Sequence, residues 1–139
     1  MSDILMGLND AQKEAVETLE GPVLILAGAG SGKTKTLTHR IANLIANGVN
    51  PYEILALTFT NKAAREMRER LAKLLDMENT FSFMPWMGTF HAICVKILRI
   101  ESHNVGLSKN FVIYDTDDRL ALIKKAMKGH VDLLGPAMK

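Results

Sequence analysis

The chain has 139 residues, 47% of them hydrophobic and 23% charged, which fits one soluble globular unit with room for a core. Its net charge of +2, from 17 basic and 15 acidic residues, is too small to argue for nucleic acid by itself, so the placement of the basic residues must decide. One cysteine, Cys94, excludes an internal disulfide and a cysteine-built zinc site, and in an apolar helical run it reads as a small buried hydrophobe.

Met1 to Gly7 reads as a loose lead-in, without the basic start and apolar core of a secretory signal. No apolar run approaches the roughly 20 residues that cross a bilayer, so a cytoplasmic protein is expected. Asn9 or Asp10 can cap a short helix through Leu19 with Ala11, Ala15, Val16 and Leu19 as its apolar stripe. Gly21-Pro22 ends it, and the apolar run Val23 to Leu26 reads as a buried-type strand. The Gly-rich stretch Ala27 to Gly32 follows, then Lys33-Thr34 and a segment with helical spacing at Leu37, Ile41, Leu44 and Ile45. That helix is expected to reach about Asn47 and stop at Gly48, with Pro51 beyond.

Ile54 to Phe59 reads as a second strand, and Thr60-Asn61 as the cap of a helix from Lys62 to about Leu75. Its Glu66/Arg70 and Glu69/Lys73 spacings suit ion pairs, and Ala63, Met67, Leu71 and Leu74 form its buried face. Asp76 to Thr80 is a loop. Phe81 to Met87 reads as a third strand weakened by Pro85, which removes a ladder donor. Gly88-Thr89 leads into a helix from about Phe90 to Ile100 with Ile93, Ile97 and Leu98 on one side. After an irregular Ser102 to Asn110 and an apolar Phe111 to Tyr114, Asp115 caps a last helix, Thr116 to about Lys128, burying Leu120, Ile123 and Met127. The tail from Gly129 frays.

This alternation predicts an α/β chain: a parallel sheet with flanking helices, too few strands for a whole sheet. Ligands of such sheets sit beyond the carboxyl ends of the strands, where three stretches carry chemistry. The first is the strand, loop, helix order of a P-loop. Gly28, Gly30 and Gly32 let successive N–H groups point into one concavity, and the helix start adds free N–H groups and positive dipole. Lys33 would reach the β- and γ-phosphates and the Thr34 hydroxyl would hold Mg²⁺. The first motif position is Ala27 instead of Gly, which keeps the residue small.

The second stretch, Thr58 to Ala64, sets Thr58, Thr60, Asn61 and Lys62 around Phe59 at a helix start. Hydroxyl, amide and helix N–H donors suit phosphate oxygens and an aromatic face can stack a base. An N-cap followed by a solvated, salt-bridged helix fits the same residues. The third, Gly88 to His91, repeats the theme with Thr89, Phe90 and His91, although a lone histidine is more often structural. His39, His91, His103 and His130 lack ligand spacing, so no metal site is built from them.

LNDAQKEAV (Leu8 to Val16), LAGAGSGKT (Leu26 to Thr34), LTFTNKAAREMRERL (Leu57 to Leu71) and GTFHAI (Gly88 to Ile93) stand in the order and spacing of the UvrD/Rep/PcrA helicases. The chain resembles this family from about Leu8 to Leu122. The resemblance implies a RecA-like P-loop NTPase fold and an ATP-driven motor moving 3′ to 5′ on single-stranded DNA in repair or replication. It implies that Gln12 reads the adenine edge, and that Ala27, Gly28, Ala29, Gly30, Ser31, Gly32, Lys33, Thr34 and Lys35 surround the nucleotide. Lys35 stands where relatives often have Arg, so a planar guanidinium contact there is in question. Phe59, Thr60, Asn61 and Lys62, with Thr89, Phe90 and His91, would contact single-stranded DNA.

The resemblance also implies that residues 1–90 are the amino-terminal part of a RecA-like ATP-binding domain and 91–139 the beginning of a helical inserted subdomain. The family's acidic motif, its later motifs and an arginine from a second RecA-like domain would follow Lys139. An amino-terminal fragment without ATP turnover is therefore expected, with self-association through an uncovered sheet edge. Asp115, Asp117 and Asp118 read as a helix cap and not as that acidic motif. Another P-loop enzyme such as a small kinase, a non-catalytic nucleotide or DNA holder, and the helicase-nuclease branch are the competing readings.

Overall fold

The computed structural model describes residues 4–28, 30–77 and 82–127. Ala29, Phe81 and the tail from Gly129 therefore lie outside the described residues, as does His130. The chain divides into two compact units, residues 1–97 and 98–139.

In the first unit, α1 (Asp10–Glu17) starts from a reciprocal cap. The Asn9 side chain accepts the Gln12 N–H, and the Gln12 side chain accepts that of Asn9. The helix ends two residues short of Leu19, with Thr18 as its C-cap. α2 (Lys33–Ala46) begins at Gly32 and ends at Asn47, with Gly48 in the left-handed conformation that stops it, as expected. Leu37 is partly exposed; the buried face is made by Ile41 and Ala42 together with Thr36, Thr38 and His39. The threonines are tolerated because their hydroxyls donate back to the carbonyls of Gly32 and Thr34. A single 3₁₀ turn at Pro51–Glu53 then leads to the sheet.

The sheet has two parallel strands, β1 (Ala56–Thr58) and β2 (Met87–Thr89), in register Ala56 to Met87 and Thr58 to Thr89. Helix α3 (Asn61–Leu74) is the crossover that parallel pairing needs, and it packs on both strands and on α2. Leu71, fully buried on α3, joins Met67, Met84, Met87, Ile41 and Ile54 in the core, worth about 1.5–3 kcal/mol for a side chain of its size. α3 differs from expectation in two ways. Arg68 lies on the buried face, and the ion pair that forms is Lys62–Glu66 at 4.0 Å; neither Glu66/Arg70 nor Glu69/Lys73 pairs.

The largest correction concerns Val23 to Leu26. These residues form no strand, and Leu24 and Leu26 are 83% and 85% exposed. An apolar run becomes a strand only through a ladder partner, and no described residue supplies one. The third expected strand is also displaced: Ser82 to Trp86 forms turns, and Gly88-Thr89 belongs to the strand instead of the helix start.

The lead-in is not loose where it is described. Ile4 and Leu8 are buried, Lys35 Nζ donates to the Gly7 carbonyl at 2.6 Å, and His39 Nδ1 donates to the Ile4 carbonyl. α1 lacks a basic residue in its last turn, and α2 closes its carbonyls instead. Arg40 donates to the carbonyls of Ala15 and Thr18, and Asn43 to that of Val16.

Helix α4 (Phe90–Ile100) buries Ile93 but leaves Ile97, Leu98 and Cys94 exposed, so Cys94 is not a core residue. In the second unit, Arg99 stacks 4.7 Å over the Phe111 ring and donates to the Lys109 carbonyl. Ser102 to Val105 forms a 3₁₀ turn closed at Gly106. Asp115 and Asp118 cap α5 (Thr116–Met127) reciprocally, yet Leu120 and Ile123 are exposed and none of its described residues is buried. Among the described residues no helix is long and apolar enough to cross a membrane.

Candidate functional site

The glycine-rich loop is closed on itself by its own lysine. Lys33 Nζ donates to the carbonyls of Ala27 and Gly28 at 2.8 and 2.6 Å, and Ser31 Oγ donates to the same Gly28 carbonyl at 2.5 Å. An ammonium held over backbone carbonyls is a charge waiting for an acceptor; a phosphate oxygen is a stronger one than a neutral carbonyl. Gly32 has φ +85°, which an L side chain rarely adopts, and a Cβ there would sit 2.9 Å from Gln12 Nε2. No side chain caps α2, and Thr36 is the first residue of the helix to bond back, to Gly32. The N–H groups of its first turn are therefore available to an anion.

Two cavities flank this loop and share Lys33. One, about 260 Å³, is lined by Asn9, Gln12, Ala27, Ser31 and Lys33 among others. Gln12 Nε2 donates to the Ser31 carbonyl at 3.2 Å while its Oε1 accepts from Asn9, so the α1 cap and the loop are joined through one amide. The other, about 270 Å³, is lined by Gly30, Gly32, Lys33, Thr34 and Lys35 on one side and by Glu66 and Arg70 of α3 on the other. Thr34 is exposed. Among the described residues, no cluster of three or more His, Cys, Asp or Glu side chains is placed to hold a metal. Lys35 spends its ammonium on Gly7 rather than on the loop.

The second and third stretches meet at one edge of the sheet. Parallel strands in register deliver the residues that follow them to the same side, so Phe59 after β1 and Phe90 at the start of α4 become neighbours. Their ring centroids are 5.5 Å apart at 37°, and Phe59 is 91% exposed. Thr60 Oγ1 accepts the Ala63 N–H and caps α3; Thr89 Oγ1 accepts the Ala92 N–H in the first turn of α4. Asn61, Lys62 and His91 are exposed beside the ring pair. The glycine-rich loop is linked to this edge through α3, whose first turn carries Lys62 and whose next turns carry Glu66 and Arg70.

Sequence reasoning missed Arg68. Its Nη2 donates to the Met87 carbonyl at 2.8 Å, and burial lowers the guanidinium's pKa from its ordinary value. The only signal available was its phase, one residue past Met67 on the apolar stripe.

Residues 8–135 match the family model of the UvrD/REP helicase N-terminal domain. The chain is 51% identical over 129 residues to the ATP-dependent DNA helicase PcrA of Staphylococcus aureus (strain Mu50 / ATCC 700699), covering 92% of this chain and 17% of that protein. It is 55% identical over 122 residues to the protein of that name from Leuconostoc citreum, covering 87% and 16%. For the one from Bacillus subtilis (strain 168) the figures are 52% over 128 residues, 91% and 17%. The chain thus spans about a sixth of the length of the curated relatives it matches. Four motifs in order, a lysine-closed loop and a match running over nearly the whole chain agree: the chain belongs to the UvrD/REP helicase N-terminal domain family.

Proposed function

We propose that this chain is the ATP-binding and single-stranded-DNA-contacting part of a 3′-5′ DNA helicase that acts in DNA repair or replication. The observation that carries the reading is the Lys33 ammonium poised on the Ala27 and Gly28 carbonyls at the uncapped start of α2. Triphosphate oxygens would take over that ammonium and the first-turn N–H groups, while Gln12 would exchange its Ser31 contact for the adenine edge. The exposed Thr34 hydroxyl would hold Mg²⁺, which when bound neutralises phosphate charge. Phe59 and Phe90 would stack bases, and Thr60, Asn61, Lys62, Thr89 and His91 would hold the adjoining backbone.

The same reading makes residues 1–90 part of a RecA-like P-loop domain and 91–139 the beginning of a helical inserted subdomain. It also makes the 139-residue chain a binder without turnover. Hydrolysis needs a positioned water and transition-state charge stabilisation besides the phosphate cradle, and among the described residues Glu66 is the sole acid lining either loop cavity. Titration with a fluorescent ATP analogue tests the reading. Binding should weaken at least about tenfold in Lys33→Ala, the loss of about 1.4 kcal/mol expected for a charge-assisted contact. Equal affinity in both proteins, or ATP turnover abolished by Lys33→Ala, counts against it.

A further inference from the structure

We propose that Arg40 is a positioning residue for nucleotide base selection: from α2 it holds the carboxyl end of α1, and so sets where Gln12 presents its amide. The inference rests on the reading that Gln12 meets the adenine edge. An eight-residue helix is marginal in isolation, and α1 buries only Val16 among its described residues. Polar ties therefore weigh heavily in where it sits. The half-buried Arg40 uses both hydrogens of Nη1, one on the Ala15 carbonyl at 2.6 Å and one on that of Thr18. Asn43 Nδ2 donates to the Val16 carbonyl at 3.0 Å. The guanidinium also brings to the negative end of the α1 dipole the positive charge that α1 lacks in its own last turn.

The helix that grips α1 is the one that begins with Lys33, and it also holds the chain before α1, through Lys35 on Gly7 and His39 on Ile4. The phosphate lysine and the base reader thus share one frame. The fit at Gln12 leaves little slack. Its Nε2 donates to the Ser31 carbonyl at 3.2 Å, and a Cβ on Gly32 would lie 2.9 Å from the same nitrogen. A slip of α1 by one residue moves Gln12 by about 1.5 Å, enough to break the first contact or close the second into a clash. The cap sets the polarity of the amide. Oε1 accepts the Asn9 N–H at 3.1 Å and keeps a second lone pair for an amino group, while Nε2 can donate to a ring nitrogen. Adenine offers that pair, its amino group beside N7; guanine puts an oxygen where the amino group stands. Without Arg40, α1 keeps its cap but loses its place, so base discrimination falls while the phosphate grip of Lys33 stays.

The test is a titration of the whole chain with a ribose-labelled fluorescent ATP analogue, displaced in turn by ATP, GTP and inorganic tripolyphosphate, which has no base. Arg40→Ala should raise the Kd of ATP by about 2- to 12-fold, the range of one neutral hydrogen bond, and leave that of tripolyphosphate within about twofold. In a Gln12→Ala background the same change should add less than about twofold, because a residue acting through Gln12 then has nothing to position. Lys33→Ala is the contrast and should weaken ATP and tripolyphosphate alike. Asn43→Ala, which on α1 frees the Val16 carbonyl alone, is measured beside Arg40→Ala and should shift ATP in the same direction with the helical circular-dichroism signal kept. A ratio of ATP to tripolyphosphate affinity that is unchanged in Asn43→Ala or in a folded Arg40→Ala overturns the proposal. So do effects of Arg40→Ala and Gln12→Ala that simply add. An unsubstituted chain that binds ATP and GTP equally ends the base reading and the clamp together but leaves the loop standing. One that binds neither nucleotide nor tripolyphosphate overturns the proposed function as well.

Discussion

Phe59→Ala separates a role in binding from a role in folding more cleanly than any other change in this chain. The ring is 91% exposed, and its recorded aromatic partner is Phe90 at 5.5 Å, so folding gains little from it. A tilted aromatic pair contributes about 0.5–1.5 kcal/mol when packed, and exposure puts this one at the low end. The urea midpoint of Phe59→Ala should therefore move by less than about 0.5 M, with an m-value of about 1–3 kcal/mol/M. If the ring instead stacks a base, its removal costs about 1–3 kcal/mol of DNA affinity, roughly a 5- to 150-fold rise in Kd. The assay is anisotropy of labelled oligo-dT at fixed salt, alongside urea denaturation of the same sample. Unchanged oligo-dT affinity in a folded Phe59→Ala protein would remove the residue from the site. A large stability loss would refute the premise that the ring serves solvent-facing contacts.

Arg68→Ala should destabilise by about 2–4 kcal/mol, since it removes a charged donor from the Met87 carbonyl and the packed stem of a buried side chain. A urea midpoint unchanged from the parent would show that α3 does not depend on this tie to β2. The chain should self-associate, and Leu24→Lys with Leu26→Lys should make it monomeric, because they charge the apolar stretch that carries no ladder partner among the described residues. Light scattering decides this: a monodisperse monomer for the unsubstituted chain would defeat the expectation. Gly32→Ala should weaken binding of the ATP analogue, as it forces a side chain into a left-handed conformation at about 1–2 kcal/mol and against Gln12. Unaltered nucleotide affinity would mean the loop adopts another backbone when it binds.

What could be read from the residues in order was what local chemistry determines. Asn9, Thr60 and Asp115 cap helices by bonds spanning three residues, and Gly48 stops one; each is a contact between near neighbours, so its spacing is visible along the chain. The order of the helices followed in the same way, as did the GKT motif at a helix start. Strand formation did not. Val23 to Leu26 and Ile54 to Phe59 look alike in composition, yet only Ala56 to Thr58 finds a neighbour, and pairing depends on a partner elsewhere in the chain.

The amino-acid order by itself determined the helices, their caps and the identity of the glycine-rich loop, because those rest on groups a few residues apart. Tertiary structure alone decided that Phe59 meets Phe90, that Gln12 reaches Ser31, and that Lys35, His39, Arg40 and Arg68 end on backbone carbonyls 19 to 35 residues away. A carbonyl exists at every residue, so no pattern in the side chains marks which one a distant donor will find; only the packing of α1, α2, α3 and the strands against one another selects it.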